Sequence, residues 1–306
     1  MKNFFILDER EVWHAAAIAA AQRHGWRGKC IFINDIDTAA MQPGDVGFIR
    51  PHADWRRLPA NRRDDAIMRQ HLLMIQDRAQ VEVYENKSEQ FRRWGGWMPV
   101  TERFENEDSA QRYAACAQYP LVSKADVGAS SVNVRILSTP AEARAHIAQI
   151  FGGGVKQQHG ASCPDTLQQG YVLLQEFIPH TITYRVNAIG DARAVFFRYC
   201  YPNKPVAQTG NVEPAFQMSA ELESLLAYAD KVFADIGSKW CALDILKDER
   251  TPEQPWRLLE TSLAWPWPSP GRCNEGAIFR SGGKKWIEMF DVMFDQLEAG
   301  AWSAAH

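Results

Sequence analysis

Residues 240–262, "WCALDILKDERTPEQPWRLLETS", contain two apolar runs joined by a polar turn with two prolines. Such runs are typical of β-strands, so the segment predicts a strand pair. A register with residue 247 opposite residue 257 would place Asp244 directly opposite Glu260, whereas a slip by one residue would put them on opposite faces. Facing carboxylates repel each other unless a divalent cation lies between them. The alternative is that Glu260 points to water at the end of its strand.

The first 85 residues alternate predicted strands with predicted helices. The strands are "NFFILD" (3–8), "KCIFIND" (29–35), "DVGFIRP" (45–51) and "VEVYEN" (81–86), and the helices cover residues 11–25 and 61–80. Strands separated by helices favour a small parallel α/β domain. A Gly-x-Gly-x-x-Gly motif does not follow the first strand, so the sequence lacks a dinucleotide-binding fingerprint.

The rest of the chain is richer in adjacent strands. Strands are predicted around a Gly/Ser turn after residue 120, and then at "YVLLQEF" (171–177), "ITYRVNAIG" (182–190) and "ARAVFFRYCY" (192–201), with helices after Thr139, over 219–236 and over 283–300. Residues 152–170 are polar and Gly-rich, which is typical of a mobile lid or a linker.

Composition excludes several classes of protein. The net charge is −3 and the basic residues are scattered, which argues against a nucleic-acid or anionic-membrane partner. The apolar run at 15–21 is too short to span a bilayer, and the N-terminus lacks a signal-peptide pattern. The six cysteines form no C-x-x-C pair, so we expect a cytoplasmic protein. Apolar helix faces allow a homodimer.

The segment "SKADVGASSVNV" (123–134) has the composition of an anion-binding turn. Lys124 lies on a predicted strand, and Gly128, Ser130 and Ser131 follow in a turn whose small residues let backbone N–H groups approach an anion. The turn is not a P-loop, because no Lys-Ser/Thr follows the glycine into a helix. The alternative is an ordinary turn between two strands.

Two arginines, Arg185 and Arg198, lie on adjacent predicted strands. Their guanidinium groups could both reach one anionic group, or they could be surface cations at a sheet edge.

In their order along the chain, these segments resemble the ATP-grasp superfamily, especially carboxylate–amine ligases of the glutathione-synthetase and ribosomal-protein glutamate-ligase kind. The resemblance covers about residues 84–275. Six segments carry it: "ENKSEQFRRWGGWMPVT" (85–101), "PLVSKADVGASSVNV" (120–134), "VLLQEFIP" (172–179), "TYRVNAIG" (183–190), "ALDIL" (242–246) and "LLETS" (258–262).

The resemblance implies an ATP-grasp fold of mixed α/β and α+β class, preceded by a small parallel α/β domain. The expected divisions are an N-terminal α/β domain at 1–85, a helical connector at 86–120, a small lid-like subdomain at 121–175 and a C-terminal subdomain with the metal site at 176–306.

The resemblance also assigns roles to individual residues. Magnesium would be bound by Asp244 and Glu260, with Ser262 at the position of a further ligand. The nucleotide phosphates would be contacted by Lys124 and Lys87, and by the turn with Gly128, Ser130 and Ser131. Arg92 or Arg93 could take the place of Lys87. Adenine would lie against Gln175, Glu176, Phe177 and Ile178. His180 would touch the ribose, or else would be a surface loop residue. Catalytic roles at the γ-phosphate or the acyl substrate fall to Lys124, Arg185 and Arg198.

One departure from the family pattern concerns the metal. Glu-x-Asn of the family is Glu-Thr-Ser here, so Ser262 stands where an amide oxygen would help to bind a second magnesium ion. Whether one or two metal ions bind is therefore open.

Four residues are candidates for substrate binding. Arg50 ends a predicted strand of the N-terminal domain, where open α/β sheets bind ligands. The other three follow the second metal strand: Trp265, Arg272 and Asn274. Trp265 would form a pocket wall or, alternatively, pack its loop against the C-terminal helix.

The expected function is that of an ATP-dependent ligase. It would use ATP and Mg²⁺ to activate the carboxylate of a small molecule or peptide as an acyl phosphate, which an amine then attacks. The alternatives are an ATP-grasp kinase with a non-carboxylate acceptor and a nucleotide-binding module without turnover.

Overall fold

The structure, a computed structural model, describes residues 2–7, 13–31, 42, 44–49, 73–76, 78–84, 86–127, 133–157, 166–201, 204–262, 278–279 and 288–302. Its first part is a parallel four-stranded sheet in the order β2-β1-β3-β4. The strands are β1 (Asn3–Leu7), β2 (Arg27–Ile31), β3 (Val46–Ile49) and β4 (Leu73–Met74). Helix α1 (His14–Arg23) joins β1 to β2 and buries its alanine face. This sheet confirms the predicted parallel α/β arrangement.

The last elements of this part differ from the prediction. The expected strand over 81–86 is wrong, because Arg78–Val83 form helix α2. The fourth strand is β4 instead, inside the stretch predicted as a helix over 61–80. Short apolar runs fit a strand and a buried helix equally well, so the local pattern could not separate them. Residues 51–72 lie outside the described residues.

The second sheet is antiparallel, in the order β5-β10-β6-β7. Its strands are β5 (Thr101–Phe104), β6 (Leu121–Lys124), β7 (Val134–Leu137) and β10 (Val172–Glu176). Helices α4 (Glu107–Cys116) and α5 (Pro140–Gly152) cover one face, where apolar side chains such as Leu121 and Ile147 form a core. The Thr139 side chain caps α5 as predicted, whereas β5 lies in the stretch expected to be a helical connector.

A hairpin extends from this sheet. Strands β8 (Val155–Gln157) and β9 (Thr166–Gln168) pair within residues 152–170, so the expected loop is partly a β-structure. The side chains of Gln157 and Gln168 accept hydrogen bonds from the backbone N–H groups of Val127 and Asp126. The hairpin therefore holds the chain that leads into residues 128–132.

The third sheet is the largest and carries the predicted metal strands. Its order is β13-β12-β11-β14-β15, with β16 paired to β12. The strands are β11 (Ile182–Ile189), β12 (Ala192–Tyr201), β13 (Lys204–Pro214), β14 (Trp240–Lys247), β15 (Trp256–Ser262) and β16 (Ile278–Phe279). Helix α6 (Ala220–Ile236) covers one face, begins at the Ser219 cap and ends at Gly237, whose φ of 69° favours glycine.

The opposite face of the third sheet contacts the N-terminal domain. Trp240 packs against Trp13, Phe48 and Phe290, the last on helix α7 (Met289–Glu298), with ring centroids 4.9–6.1 Å apart. This shared core continues along β11 and β12 and ends where the polar side chains of the candidate site begin. In the described ranges, no helix combines the length and the apolar character that a bilayer crossing needs.

Candidate functional site

Asp244 lies opposite Glu260 in the β14–β15 ladder, as predicted, but the register along the ladder is different. Lys247 pairs with Trp256 and not with Arg257. The predicted register was therefore wrong at the turn end of the hairpin. A β-bulge between the two regions adds one residue to β15 and brings Glu260 back opposite Asp244.

Because of the bulge, the side chains of Leu258 and Glu260 lie on different faces of the sheet. Leu258 is fully buried in the core under α6, whereas Glu260 lies on the face that carries Asp244, called here the Asp244 face. An unbroken strand would put both on one face, because side chains alternate with period two. The extra residue, Leu259, offers its carbonyl oxygen to the Lys124 Nζ at 3.3 Å.

Two buried arginines converge on the Asp244 carboxylate. Arg185 donates from Nε to Oδ1 and from a terminal nitrogen to Oδ2, both at 2.7 Å, and Arg198 donates to Oδ2 at 2.9 Å. Arg185, Arg198 and Asp244 are only 7%, 6% and 4% exposed. The two arginines therefore reach one anionic group, as the sequence indicated, and they are not surface cations.

The electrostatics of this group favour ionised side chains. Burial by itself would raise the pKa of Asp244, but the charges and hydrogen bonds of Arg185 and Arg198 outweigh it and hold the pKa well below its usual range. Burial likewise opposes the charge of Arg185, and the attraction of Asp244 overcomes it, so the pKa of Arg185 is raised. Asp244 and Arg185 are therefore both charged at neutral pH.

Two lysines approach Glu260 from other parts of the chain. Lys87 Nζ, on helix α3 (Lys87–Trp94), lies 3.7 Å from a Glu260 carboxylate oxygen. Burial lowers the pKa of Lys124 to about 8, while the nearby Glu260 raises it and Lys87 lowers it. Glu260 keeps 36% of its side chain exposed, so it is open to a ligand.

Together these residues form a cation cluster, defined as Lys87, Lys124, Arg185 and Arg198 around Asp244 and Glu260. Four positive and two negative charges leave an excess of two positive charges. The members come from a helix, the second sheet and the third sheet. A partly buried positive excess of this kind binds anions such as phosphate groups or carboxylates.

The donor set also fits one magnesium ion with nucleotide phosphates. Mg²⁺ takes one or two carboxylates plus phosphate oxygens, and Asp244 and Glu260 face each other on adjacent strands. Ser262 shares their face, opposite Ala242. Asp244 already accepts three hydrogen bonds, one on Oδ1 and two on Oδ2, so one acceptor position on Oδ1 remains for a metal, and more become available if an arginine moves to another anion. Groups of three or more His, Cys, Asp or Glu suited to a metal are absent from the described ranges.

The segment predicted to cradle adenine joins the second and third sheets. The Gln175 side chain donates to Thr101, and the Glu176 carboxylate accepts from the Val100 backbone and from Arg250. Both side chains therefore make structural contacts. Contact of these two residues with a nucleotide would have to come mainly from their backbone.

The next residues of this segment are partly enclosed. Ile178 is buried, and Phe177 lies beside His180 with ring centroids 6.2 Å apart. His180 bonds the Ile178 carbonyl at 2.7 Å through Nδ1. Burial, together with the charge of Lys124, lowers the pKa of His180. His180 is therefore not simply a surface residue, and it lies within the electrostatic reach of Lys124.

Seven predicted residues lie outside the described residues, so the structure does not place them: Arg50, Gly128, Ser130, Ser131, Trp265, Arg272 and Asn274.

Gln90, which was not predicted as a site residue, holds the strand that carries Glu260. The buried Gln90 side chain accepts from the Thr261 N–H at 2.8 Å and donates to the Thr261 carbonyl at 3.0 Å. Gln90 follows Lys87 by three residues, so both project from one side of α3. This spacing is the feature of the sequence from which a role for Gln90 near Lys87 could have been predicted.

Solved structures give the comparison for the whole chain. Protein-family models and curated proteins show no match to it. A RimK-domain ATP-grasp protein from Sphaerobacter thermophilus is 15% identical with a TM-score of 0.63, over 96% of this chain and 98% of that chain. A RiPP-associated ATP-grasp ligase from Chryseobacterium gregarium is 11% identical with a TM-score of 0.65, over 100% and 99%.

A third solved structure is the macrocyclase MdnC from Microcystis aeruginosa, which is 11% identical with a TM-score of 0.62, over 98% of this chain and 100% of that chain. Similarity at full length and at such low identity concerns the fold. The chain has the ATP-grasp fold, preceded by a small parallel α/β domain.

Proposed function

We propose that the chain is an ATP-dependent ligase that activates a substrate carboxylate as an acyl phosphate and joins it to an amine. The observation that carries the proposal is the cation cluster, in which four cations surround two facing carboxylates on the ATP-grasp fold. Ligases of this fold in complexes with ADP, Mg and precursor peptides support the choice of ATP and Mg²⁺.

Each residue of the cation cluster has its own role in the proposed reaction. Lys87 and Lys124 would hold nucleotide phosphates, and Glu260 with Asp244 would hold Mg²⁺, whose charge offsets that of the phosphates when it is bound. Arg185 and Arg198 would orient an anionic acceptor and neutralise charge that develops on the transferred group. Positioning and charge neutralisation are sufficient for this chemistry, so a protein nucleophile is not required.

The acceptor is proposed as a carboxylate of a small molecule or a peptide. The Chryseobacterium ligase was solved with a leader and core peptide, and MdnC with a precursor peptide, which supports a peptide acceptor here. D-cycloserine synthetase, at a TM-score of 0.57, supports the small-molecule alternative.

We also propose that the chain divides into domains at residues 85, 120 and 175.

ADP release tests the reaction. The protein is incubated with ATP, Mg²⁺ and a panel of amino acids and acidic peptides, with and without an amine, and products are identified by mass spectrometry. We expect ADP formation that depends on both a carboxylate and an amine. ADP formed without amine, together with a stable phosphorylated product, would identify a kinase. ATP binding without ADP under all conditions would identify a binding module.

Glu260→Gln tests the site. We expect turnover to fall by about two orders of magnitude or more, the scale of losing a preorganised electrostatic element. Glu223→Gln makes the same change on the exposed side of α6 and should leave turnover unchanged. Equal turnover and equal magnesium dependence in the two variants would remove Glu260 from the site.

A further inference from the structure

The first turn of helix α3, which carries Lys87, is held by a segment that is distant in sequence. The Lys87 N–H donates to the Asp126 carbonyl oxygen at 3.2 Å, and the Ser88 N–H donates to Asp126 Oδ1 at 2.8 Å. The next N–H of the helix, that of Glu89, donates to the Asn86 side chain, which is the N-cap. Asp126 therefore binds the two N–H groups of this turn that the N-cap does not.

Asp126 is also fixed from its other side. Its Oδ2 accepts a hydrogen bond from the Tyr171 hydroxyl, and its backbone N–H donates to the Gln168 side chain at 2.9 Å. Gln168 belongs to β9, and Tyr171 directly precedes β10. Because both carboxylate oxygens are bonded, the Asp126 side chain has one defined orientation toward α3.

The same residue lies close to the second lysine of the cation cluster. Asp126 follows Lys124 by two residues at the end of β6. The Lys124 ammonium group reaches the Leu259 carbonyl oxygen at 3.3 Å. The Lys87 ammonium group lies 3.7 Å from the carboxylate of Glu260, the next residue of β15. The two lysines thus meet at one place although they come from α3 and β6, and Asp126 links these two elements directly.

Helix α3 contacts the third sheet three residues after Lys87. There Gln90 exchanges two hydrogen bonds with the Thr261 backbone, next to Glu260. Lys87 is only 9% exposed, so its side chain has little room to adjust. The position of its ammonium group therefore follows the position of the first turn of α3, which Asp126 fixes.

We propose that Asp126 is a positioning residue for Lys87. By fixing the first turn of α3 to the end of β6, it sets the distance between the ammonium groups of Lys87 and Lys124, so that both meet oxygens of one nucleotide phosphate chain. The inference rests on the proposed function, in which these two lysines hold the nucleotide phosphates. Asp126 acts through α3 and does not itself contact the nucleotide.

The charge of Asp126 gives this role a distinctive sign. A carboxylate near a phosphate site repels the ligand, so its removal would tighten binding if charge alone mattered. Loss of positioning weakens binding instead. Asn at position 126 keeps an oxygen that can accept from the Ser88 N–H but carries no charge. Asp126→Ala and Asp126→Asn should therefore change the affinity differently.

Calorimetric titration with MgADP tests the proposal, and the melting temperature of each variant is recorded. We expect Asp126→Ala to weaken MgADP binding about three- to tenfold, up to the loss in Lys87→Met, which removes one charged hydrogen bond. Asp126→Asn should bind as tightly as the wild type or more tightly. Asp108→Ala removes an exposed carboxylate from the first turn of α4 and should have no effect.

Asp126→Glu is the second variant, for use if Asp126→Ala does not fold. It keeps the charge but moves the carboxylate by one methylene relative to the Ser88 N–H. We expect it to weaken MgADP binding as well, since the first turn of α3 is then displaced. Wild-type affinity in both Asp126→Ala and Asp126→Glu would overturn the inference.

A double-mutant cycle with Lys87→Met shows whether Asp126 acts through Lys87. In the Lys87→Met background, Asp126→Ala should not weaken MgADP binding further, whereas the change in melting temperature should be the same in both backgrounds. Equal weakening in both backgrounds, or tighter binding by Asp126→Ala alone, would overturn the inference and leave the proposed function intact. Wild-type affinity in Lys87→Met, or no MgADP binding by the wild type, would overturn the proposed role of Lys87 and the inference with it.

Discussion

Asp244 is the residue on which the charges of the site depend. It accepts three hydrogen bonds from Arg185 and Arg198, and all three side chains are buried. Removing one partner of a buried ion pair leaves the other charges uncompensated, which costs more than the intact pair contributes. The arrangement also couples the two proposed ligands, since an anion that recruits an arginine frees carboxylate oxygens for a metal.

Asp244→Asn should lower the free energy of unfolding by about 3–5 kcal/mol, because two buried arginines then lose the carboxylate that pairs with both of them. Urea denaturation measures the change. Asp191→Asn is the matched control, since Asp191 lies exposed in the turn between β11 and β12. Equal stability of the two variants would contradict a stabilising role for the buried ion pairs of Asp244 with Arg185 and Arg198.

The same carboxylate predicts a pH dependence. The pKa of Asp244 is lower in the folded state than the value of about 3.9 in an unfolded chain, so its stabilising effect is complete above that value. The effect is lost as the pH falls toward the folded-state pKa. We therefore expect the stability difference between wild type and Asp244→Asn to be constant from pH 7 to about 5 and to shrink toward pH 3. A difference that grows on acidification would contradict this sign.

At the scale of elements, the edge strand β15 depends on a side chain of α3. Among the strands that the structure describes, none pairs with the outer side of β15, and Gln90 supplies both a donor and an acceptor to Thr261 there. An edge strand otherwise presents unpaired backbone groups. The two hydrogen bonds of Gln90 hold the Thr261 backbone next to Glu260, on the far side of the bulge from the core-facing Leu258.

Gln90→Met should lower the free energy of unfolding by about 2 kcal/mol or more, because two buried backbone groups lose their partners. The Thr261 amide proton should also exchange faster with solvent, which hydrogen exchange measures directly. Gln22→Met makes the same change on an exposed part of α1 and should alter neither quantity. Unchanged exchange at Thr261 would mean that water replaces Gln90 without cost.

At the scale of the whole molecule, the candidate site exists only where separate parts meet. Lys87 comes from α3, Lys124 from the second sheet, and the arginines and carboxylates from the third. The excess of positive charge among them is unfavourable without an anion, so an anionic ligand should stabilise the assembled state.

ATP with magnesium should raise the melting temperature, and ATP with EDTA should raise it much less. A ligand at a hundred times its Kd that binds only the folded state stabilises it by about 2.7 kcal/mol. Differential scanning fluorimetry with and without EDTA gives the comparison. An equal shift in both conditions would separate nucleotide binding from Asp244 and Glu260.

The sequence by itself determined the parts that depend on local patterns. Apolar runs identified most strands, Thr139 marked the start of one helix, and the order of motifs predicted the ATP-grasp fold. The facing positions of Asp244 and Glu260 were also predicted correctly. The strands and the helix start follow from residue types over a few neighbouring positions, and the fold follows from the order of motifs along the chain, both of which a sequence displays directly.

Only the tertiary structure decided how the site residues are arranged. The bulge at Leu259 places Leu258 in the core under α6 and Glu260 on the opposite face of the sheet. The arginines reach Asp244 only because β11, β12 and β14 pair side by side. The hydrogen bonds of His146 on α5 to Arg135 on β7 and to Ser123 on β6 likewise join three elements. Such contacts join residues that are distant in sequence, so local sequence patterns cannot predict them.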